Sequence, residues 1–110
     1  MEKEIYELHA DVCRILSHAK RLEILNTLRD KEMSVRELKE LTGLAKANLS
    51  QQLAVLRQRK IVTTRREGVN IYYRIANPKV IKACDLMREV LYEQLAKDGK
   101  LAKKLRARRH

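Results

Sequence analysis

Apolar residues recur with the period of an α-helix through the first 60 positions of the chain. The spacing predicts helices over residues 4–17 and 19–30, a short third helix after Ser34, and a fourth helix over residues 44–60. Ser34 and Glu37 have the spacing of a capping box, which is why we expect the third helix to begin there. A short helix, a glycine-containing turn and a longer second helix are the parts of a helix-turn-helix.

The fourth predicted helix has two different sides. The residues expected to face the interior are Leu49, Leu53 and Leu56 in this helix, preceded by Val35, Leu38 and Leu41 in the third. The remaining positions carry amides, hydroxyls and cations, namely Lys46, Asn48, Ser50, Gln51, Gln52, Arg57 and Arg59. Asparagine and glutamine can pair with adenine, and lysine and arginine with guanine, so this side is suited to a DNA groove. The alternative is an ordinary solvated helix face.

Beyond residue 60 the period changes from 3.6 to 2. Residues 61–64 and 71–75 are β-branched and aromatic and predict two strands, joined by a basic tip that contains glycine. Asn77 and Pro78 then predict the start of a last helix that runs to about Lys97. The predicted fold is therefore mainly α with a small β-hairpin, in the order helix-helix-helix-helix-β-β-helix, a winged helix-turn-helix.

The last predicted helix is longer and more apolar than a single small domain needs to cover itself, and the first helix also carries an apolar stripe. Their apolar stripes are Ile5, Leu8, Val12, Ile15 and Leu16 in the first helix, and Val80, Cys84, Met87, Leu91 and Leu95 in the last. We therefore expect these helices to form a dimer interface. Residues 1–97 would be one DNA-binding and dimerisation domain, and residues 98–110 a basic tail that either contacts phosphates or keeps the protein soluble.

The positive charge of the chain is distributed unevenly. The formal net charge is +11, and residues 46–66 hold six basic side chains and no acidic one, whereas residues 1–45 hold eight basic and nine acidic ones. Such a segment favours a polyanionic partner, and double-stranded DNA is the first candidate. A membrane is disfavoured, because the basic residues do not lie opposite one wide apolar face. With no secretory signal at the N-terminus, we expect a cytoplasmic, nucleoid-associated protein.

No grouping of residues in the sequence predicts catalysis. The sequence has three histidines and two cysteines, and their spacing matches no nucleophile–base pair and no metal triad. It also lacks a glycine-rich phosphate loop. Two cysteines are also too few for a disulfide scaffold, so both are expected to be reduced thiols. The sequence therefore predicts a binding protein and not an enzyme.

The segments NLSQQLAVLRQRKIV and REGVNIYYRI, together with the order of the elements, resemble the ArsR/SmtB family of winged helix-turn-helix repressors. The resemblance covers nearly the whole chain and implies a homodimer, assembled through the first and last helices, on an inverted repeat in a promoter. It also implies DNA contacts at matching positions of the recognition helix and the wing. These positions are Lys46, Ala47, Ser50 and Gln51 in the helix, and Arg65, Arg66 and Asn70 in the wing.

Members of this family leave DNA when a metal, a metalloid or a thiol-directed signal is bound, but their usual sensor residues are missing here. The positions that match the zinc ligands are Asn77, Lys79, Val90 and Glu93. Cys13 and Cys84 remain, on the two helices that the family packs together. One hypothesis is a dithiol switch, or a site for a soft metal or As(III) with His9 as a third ligand. The alternative is that both cysteines are small buried hydrophobic residues.

The leading interpretation is a sequence-specific dimeric repressor. Base contacts from Lys46, Ser50 and Gln51 would supply the discrimination, and the wing, Arg57 and Arg59 would contribute phosphate contacts and most of the affinity. The other interpretation is a constitutive or non-specific architectural DNA-binding protein without an inducer.

Overall fold

The computed structural model describes residues 2–99 and 103–104. Within this part the chain forms five helices and three short strands. They are α1 (Glu2–Leu16), α2 (Ala19–Leu28), β1 (Met33–Ser34), α3 (Val35–Thr42), α4 (Lys46–Gln58), β2 (Val62–Glu67), β3 (Asn70–Ile75) and α5 (Lys79–Lys97). Each predicted helix and strand is present, and β1 is an addition that the sequence did not indicate. Most of the predicted basic tail, at residues 100–102 and 105–110, lies outside the described residues.

The hydrophobic core lies between α2, α3, α4 and the sheet. Its fully buried side chains are Ile24, Leu25, Leu28, Leu38, Leu49, Leu53, Leu56 and Val62. The three leucines of α4 are each 0% exposed, so the inward side predicted for this helix is correct. The prediction for Leu41 is wrong, because this side chain is 64% exposed. It lies at the end of the two-turn helix α3, beyond the face that α2 and α4 cover.

Both ends of α3 are fixed by local hydrogen bonds. The Ser34 hydroxyl accepts a hydrogen bond from the Glu37 backbone N–H at 3.2 Å, and Glu37 Oε1 accepts one from the Ser34 backbone N–H at 3.2 Å. At the other end Gly43 adopts φ 73°, a left-handed conformation that glycine reaches without steric cost, and its N–H donates to the Lys39 carbonyl. This turn sets the direction in which α4 begins.

The chain leaves α4 through a second left-handed residue. Lys60 has φ 61°, and its N–H donates to the Arg57 carbonyl at 3.0 Å. The N–H of Ile61 donates to the Leu56 carbonyl at 2.9 Å, which completes a Schellman motif. The side chains of Leu56 and Ile61 are buried on either side of this motif, which directs the chain from α4 into the hairpin of β2 and β3.

The sheet is antiparallel, with strand order β1-β3-β2. Val62 pairs with Ile75 and Glu67 with Asn70, so the strands continue further into the tip than predicted and leave a two-residue turn at Gly68 and Val69. Gly68 has φ 62° at the first central position, where a tight hairpin turn favours glycine. As a result Arg65, Arg66 and Asn70 belong to strands, not to a loop.

Helices α1 and α5 contribute little to the core. None of the 15 described residues of α1 is buried, and Ile81 is the buried residue of α5. The radius of gyration is 15.9 Å, against about 13 Å for a compact domain of this length. The exposed apolar side chains on the two helices are Ile5, Tyr6, Leu8, Val12, Leu86, Met87, Val90, Leu91 and Tyr92. Within the described residues no helix is both long enough and apolar enough to cross a membrane.

Helix α5 begins at Lys79, one residue later than predicted. The Asn77 side chain nevertheless acts as the predicted cap, since its Oδ1 accepts a hydrogen bond from the Lys79 backbone N–H at 3.0 Å. Arg29, at the end of α2, holds α5 against the domain through paired hydrogen bonds of 2.9 and 2.8 Å to the two carboxylate oxygens of Asp85. The Arg29 guanidinium also holds the pKa of the Asp85 carboxyl below its ordinary value.

Candidate DNA-binding surface

The first two turns of α4 present an exposed polar side. Lys46, Ala47, Ser50 and Gln51 are all exposed, and Asn48 is half-buried beside them. The core leucines occupy the opposite side of the same helix. In helix-turn-helix proteins the N-terminal residues of the recognition helix are the ones that reach base edges, so these side chains stand at the positions that such readout requires.

One polar residue of α4 does not belong to this outward side. Gln52 is 7% exposed, and its Oε1 accepts a hydrogen bond from Arg21 Nε at 2.8 Å. Its Nε2 donates to Asn48 Oδ1 at 3.2 Å. The prediction that Gln52 lies on the outward polar side of α4 is therefore wrong. Gln52 follows the buried Leu49 by three positions, which places it on the side of the helix that faces α2.

The two arginines at the end of α4 differ in their surroundings. Arg57 is exposed, and no carboxylate within the described part of the chain pairs with it. Arg59 lies 3.9 Å from a carboxylate oxygen of Asp11 on α1, so part of its charge is already offset. Of the two, Arg57 is the better placed to offer a full positive charge to DNA.

Arg65 in the wing is held by two carboxylates. Its Nε and Nη2 donate to Glu32 Oε1 at 3.0 and 2.7 Å, and its Nη1 donates to Glu67 Oε2 at 2.8 Å. The guanidinium also lies 4.9 Å from the centre of the Tyr72 ring. These bonds hold the pKa of Glu32 below its ordinary value of 4.5. The pair therefore adds stability above pH 4.5, and this stability is lost as the pH falls through the lowered pKa.

Arg66 has a different environment, although it follows Arg65 directly. Successive residues of a strand point to opposite faces, so the two guanidinium groups leave the sheet on different sides. Arg66 is exposed and has no ion-pair partner among the residues that the structure describes. Its charge is available to a phosphate, whereas the charge of Arg65 is already neutralised by Glu32 and Glu67.

A cleft of about 560 Å³ separates the recognition helix from the wing. Its described lining includes three cations and no carboxylate: Arg36 and Lys39 on α3, and Lys46 on α4. Ser50 of the recognition helix and Asn70 of the wing face the same space. A cationic cleft between a major-groove helix and a wing is suited to the sugar–phosphate backbone that runs between the two grooves.

Sequence reasoning did not identify Arg36 and Lys39 as candidate contacts. They alternate with Glu37 and Glu40 along α3, so the local sequence shows no excess of positive charge. Only the packing of α3 against α4 brings the two cations to the cleft without the acids. The available signal was the helix-turn-helix geometry itself, because the first helix of that motif crosses the DNA backbone.

The candidate sensor residues are separate from this surface. Cys13 and His9 are exposed on α1, and Cys84 is half-buried on α5, where burial raises the pKa of its thiol. Among the described residues there is no group of three or more His, Cys, Asp or Glu side chains that could hold a metal ion. Since Cys13 is exposed, it is not a buried hydrophobic residue of the single chain.

A helix-turn-helix whose outward polar helix leads into a hairpin across a cationic cleft defines a winged-helix DNA-binding protein. Residues 18–64 match the family described as bacterial regulatory protein, arsR family. The chain is 38% identical over 109 residues to the regulator Rv0081 of Mycobacterium tuberculosis, covering 97% of this chain and 96% of that protein. It is 45% identical over 73 residues to KmtR of the same species, covering 66% of this chain and 56% of KmtR. The chain belongs to the ArsR family of transcriptional regulators.

Solved structures of related regulators confirm the predicted fold. The crystal structure of Rv0081 superposes with a TM-score of 0.76 at 38% identity, covering 84% of this chain and 94% of that one. The homodimeric winged helix-turn-helix domain of Mb0332 from Mycobacterium bovis superposes with a TM-score of 0.75 at 32% identity, covering 86% of this chain and 87% of that domain. The crystal structure of the repressor BigR from Xylella fastidiosa superposes with a TM-score of 0.72 at 39% identity, covering 82% of this chain and 91% of that one. The protein is thus a DNA-binding regulator and not an enzyme, as the sequence predicted.

Proposed function

We propose that the protein is a homodimeric repressor that binds an inverted-repeat operator in double-stranded DNA. The observation that carries the proposal is the exposed polar side of α4 next to the cationic cleft and the unpaired Arg66. BigR, described as a transcriptional repressor, and the homodimeric Mb0332 domain support it by their similarity to this chain. Binding to a chromosomal operator implies a cytoplasmic protein at the nucleoid.

The proposed contacts divide between bases and phosphates. Lys46, Ala47, Ser50 and Gln51 enter the major groove and discriminate between bases. The backbone contacts come from the cleft, the wing and the end of the recognition helix, through Arg36, Lys39, Arg57, Arg59, Arg66 and Asn70. Arg65 contributes a weaker contact, because Glu32 and Glu67 already offset its charge. In a symmetric dimer two copies of α4, about 34 Å apart, would reach successive major grooves on one side of the duplex.

The apolar surfaces of α1 and α5 support the homodimer. These helices leave nine large apolar side chains exposed in the single chain, which is more than isolated surface hydrophobes explain. Burial of both helices against their counterparts in a second copy would remove this surface from water. It would also add buried apolar surface to a modest core.

Gln51→Ala is expected to flatten the sequence preference, whereas Arg66→Ala weakens binding to every sequence by a similar factor. Gln51 lies on the outward side of α4, where its amide can distinguish bases, and Arg66 offers only charge to the backbone. Loss of one phosphate contact lowers the slope of log affinity against log salt by about one. Anisotropy titrations with a duplex enriched from a random library, and with random duplex, measure both quantities at several salt concentrations.

Arg65→Ala is the matched control for the lost charge, since it removes the neighbouring cation of the same strand. We expect a smaller change of slope than for Arg66→Ala, because Glu32 and Glu67 already offset this charge. Equal losses on all sequences for the Gln51 and Arg66 variants contradict the division between bases and phosphates. A wild-type protein that binds random and enriched DNA equally favours the architectural interpretation, which the charge of +11 supports.

For regulation, we propose a dithiol switch formed by Cys13 and Cys84. Packing of α1 against α5 across a dimer would bring the two helices that carry these thiols together. The exposure of Cys13 leaves it accessible to an oxidant or a thiophilic ligand, and His9, one turn earlier on α1, is available as a third ligand for a soft metal or As(III). In the redox form, peroxide accepts two electrons and two protons from the thiols and is reduced to water as the S–S bond forms.

Peroxide treatment is expected to remove two free thiols per chain and to release the enriched duplex, and a reductant restores binding. Cys13→Ser and Cys84→Ser should each keep the protein on DNA under the same treatment, because neither variant can close the disulfide. Free-thiol titration alongside DNA-release curves measures both effects, with As(III) and zinc tested in the same way. Release that proceeds unchanged in both serine variants contradicts the switch.

A further inference from the structure

Three polar side chains form a continuous hydrogen-bonded line from the end of α1 to the outer side of α4. Arg21 Nη1 donates to the Ile15 carbonyl at 3.2 Å, and Arg21 Nε donates to Gln52 Oε1 at 2.8 Å. Gln52 Nε2 then donates to Asn48 Oδ1 at 3.2 Å. Gln52 is the one buried polar residue in the described chain, so its hydrogen bonds are shielded from water.

The direction of these bonds is fixed by the guanidinium group. Arginine has five N–H donors and no acceptor, so the atom of Gln52 that meets Arg21 must be the carbonyl oxygen Oε1. The amide NH₂ of Gln52 therefore points the other way, and Asn48 must meet it with its own carbonyl oxygen. In the reverse orientation the NH₂ group of Gln52 would face the N–H donors of Arg21, and this buried group would have no acceptor. Each amide in the line thus has one orientation.

The consequence appears at the surface of α4. Because Asn48 Oδ1 accepts the bond from Gln52, its NH₂ group is the part left for an outside partner. Free asparagine reads adenine by accepting from N6 and donating to N7 at the same time. One lone pair of Oδ1 is thus already used, so adenine N6 would have to share this oxygen with Gln52, whereas the NH₂ group has no partner among the described residues. The NH₂ group can donate to guanine O6 and N7, or to thymine O4, which are acceptors on the edge of the major groove. At adenine it can donate only to N7, beside the N6 amino group, which is itself a donor.

We infer that Asn48 reads DNA as a hydrogen-bond donor, selecting guanine or thymine, and that Arg21 and Gln52 are positioning residues that hold its amide in this orientation. The inference rests on the proposed function, since it requires α4 to lie in a major groove. It differs from the expectation that an asparagine on a recognition helix selects adenine. Arg21, which lies on α2 behind the recognition helix, thereby influences base choice without touching DNA.

Gln52→Glu tests this orientation by reversing it. The carboxylate keeps an acceptor for Arg21 but has no hydrogen to donate, so the Asn48 amide turns to donate inward and presents Oδ1 outward. Selection from a randomised duplex library is expected to enrich guanine or thymine at one position of each half-site with the wild-type protein. With Gln52→Glu the preference there moves by about fivefold, the effect of one hydrogen bond, toward adenine or cytosine, which carry amino groups on the major-groove edge.

Three further variants make the outcome specific. Asn48→Ala identifies the position, because it removes the preference there and leaves the other positions unchanged. Arg21→Met frees Gln52 to take either orientation and weakens the same preference without reversing it. Gln58→Glu is the control, since it makes the same chemical change at an exposed residue at the end of α4 and leaves every base preference as in the wild type.

Two results would overturn the inference while the proposed function stands. One is a Gln52→Glu variant whose base preferences match the wild type at every position, including a variant that is merely weaker on all sequences. The other, decisive if the Gln52 variant does not fold, is an Asn48→Ala variant that retains the full wild-type preference. A wild-type protein that enriches no sequence removes the proposed function, and the inference with it.

Discussion

Val90→Lys is expected to convert the protein to a monomer and to weaken binding to an inverted-repeat duplex by a factor of about 10²–10⁴. Val90 is 45% exposed and lies among Met87 and Leu91 on the apolar side of α5. A lysine there would bring an unpaired ammonium group into the proposed interface, which is costly to desolvate. In a dimer the second half-site is bound intramolecularly, and a monomer loses that advantage. The added positive charge alone would favour DNA, so electrostatics cannot account for the loss.

Ala96→Lys provides the matched control for this variant. It introduces the same side chain at an exposed position of the same helix, about 120° around the axis from Val90. We expect sedimentation velocity to show that the Ala96→Lys protein is a dimer, and DNA titration to show that it binds the duplex with wild-type affinity. A Val90→Lys protein that still sediments as a dimer would show that the dimer interface does not include this side of α5.

Leu53→Ala is expected to lower the free energy of unfolding by about 2–5 kcal/mol. Leu53 is 0% exposed and lies between the equally buried Leu49 and Leu56 on the inner side of α4. Small domains are stable by only about 5–15 kcal/mol, so this loss is a large fraction of the total. Urea denaturation followed by circular dichroism measures the change. The folded fraction should retain its base preferences, because the outward side of α4 is not altered.

Leu41→Ala makes the same substitution on α3 at a side chain that is 64% exposed. It leaves little cavity, so we expect its effect on the free energy of unfolding to be within about 0.5 kcal/mol. Comparable losses for the Leu41 and Leu53 variants would mean that the two helices share the core equally. That result would contradict the burial described above.

The parts of the fold that the sequence predicted correctly depend on local signals. Ser34 and Glu37 form their capping box within one turn, and Gly43 takes the left-handed conformation that glycine favours. The errors concern tertiary contacts. Leu41 and Gln52 have helical spacings that do not reveal which side a neighbouring helix will cover. Strand β1 has only two residues, too few for an alternating pattern to be visible.

The candidate site was predictable to a similar extent. The exposed start of α4 follows from residue type and period, as expected from the sequence. The family resemblance alone assigns Arg66 to the wing, and its lack of an ion-pair partner among the described residues is visible only in the structure. The neutralisation of Arg65 by Glu32 was not predictable, because the two residues are 33 positions apart. Arg36 and Lys39 were missed for the same reason, since the cleft that they line exists only where α3 packs against α4 and the wing lies beside them.

The separation of α4 into two sides has a practical consequence for engineering. The exposed residues Lys46, Ala47, Ser50 and Gln51 contribute no side chain to the interior, so they can be randomised together to obtain repressors with new operators. Position 48 is different, because its amide is oriented through Gln52 by Arg21. Changing the base preference at position 48 therefore requires coordinated substitutions on α2 and α4, and a library limited to α4 would leave Arg21 unchanged.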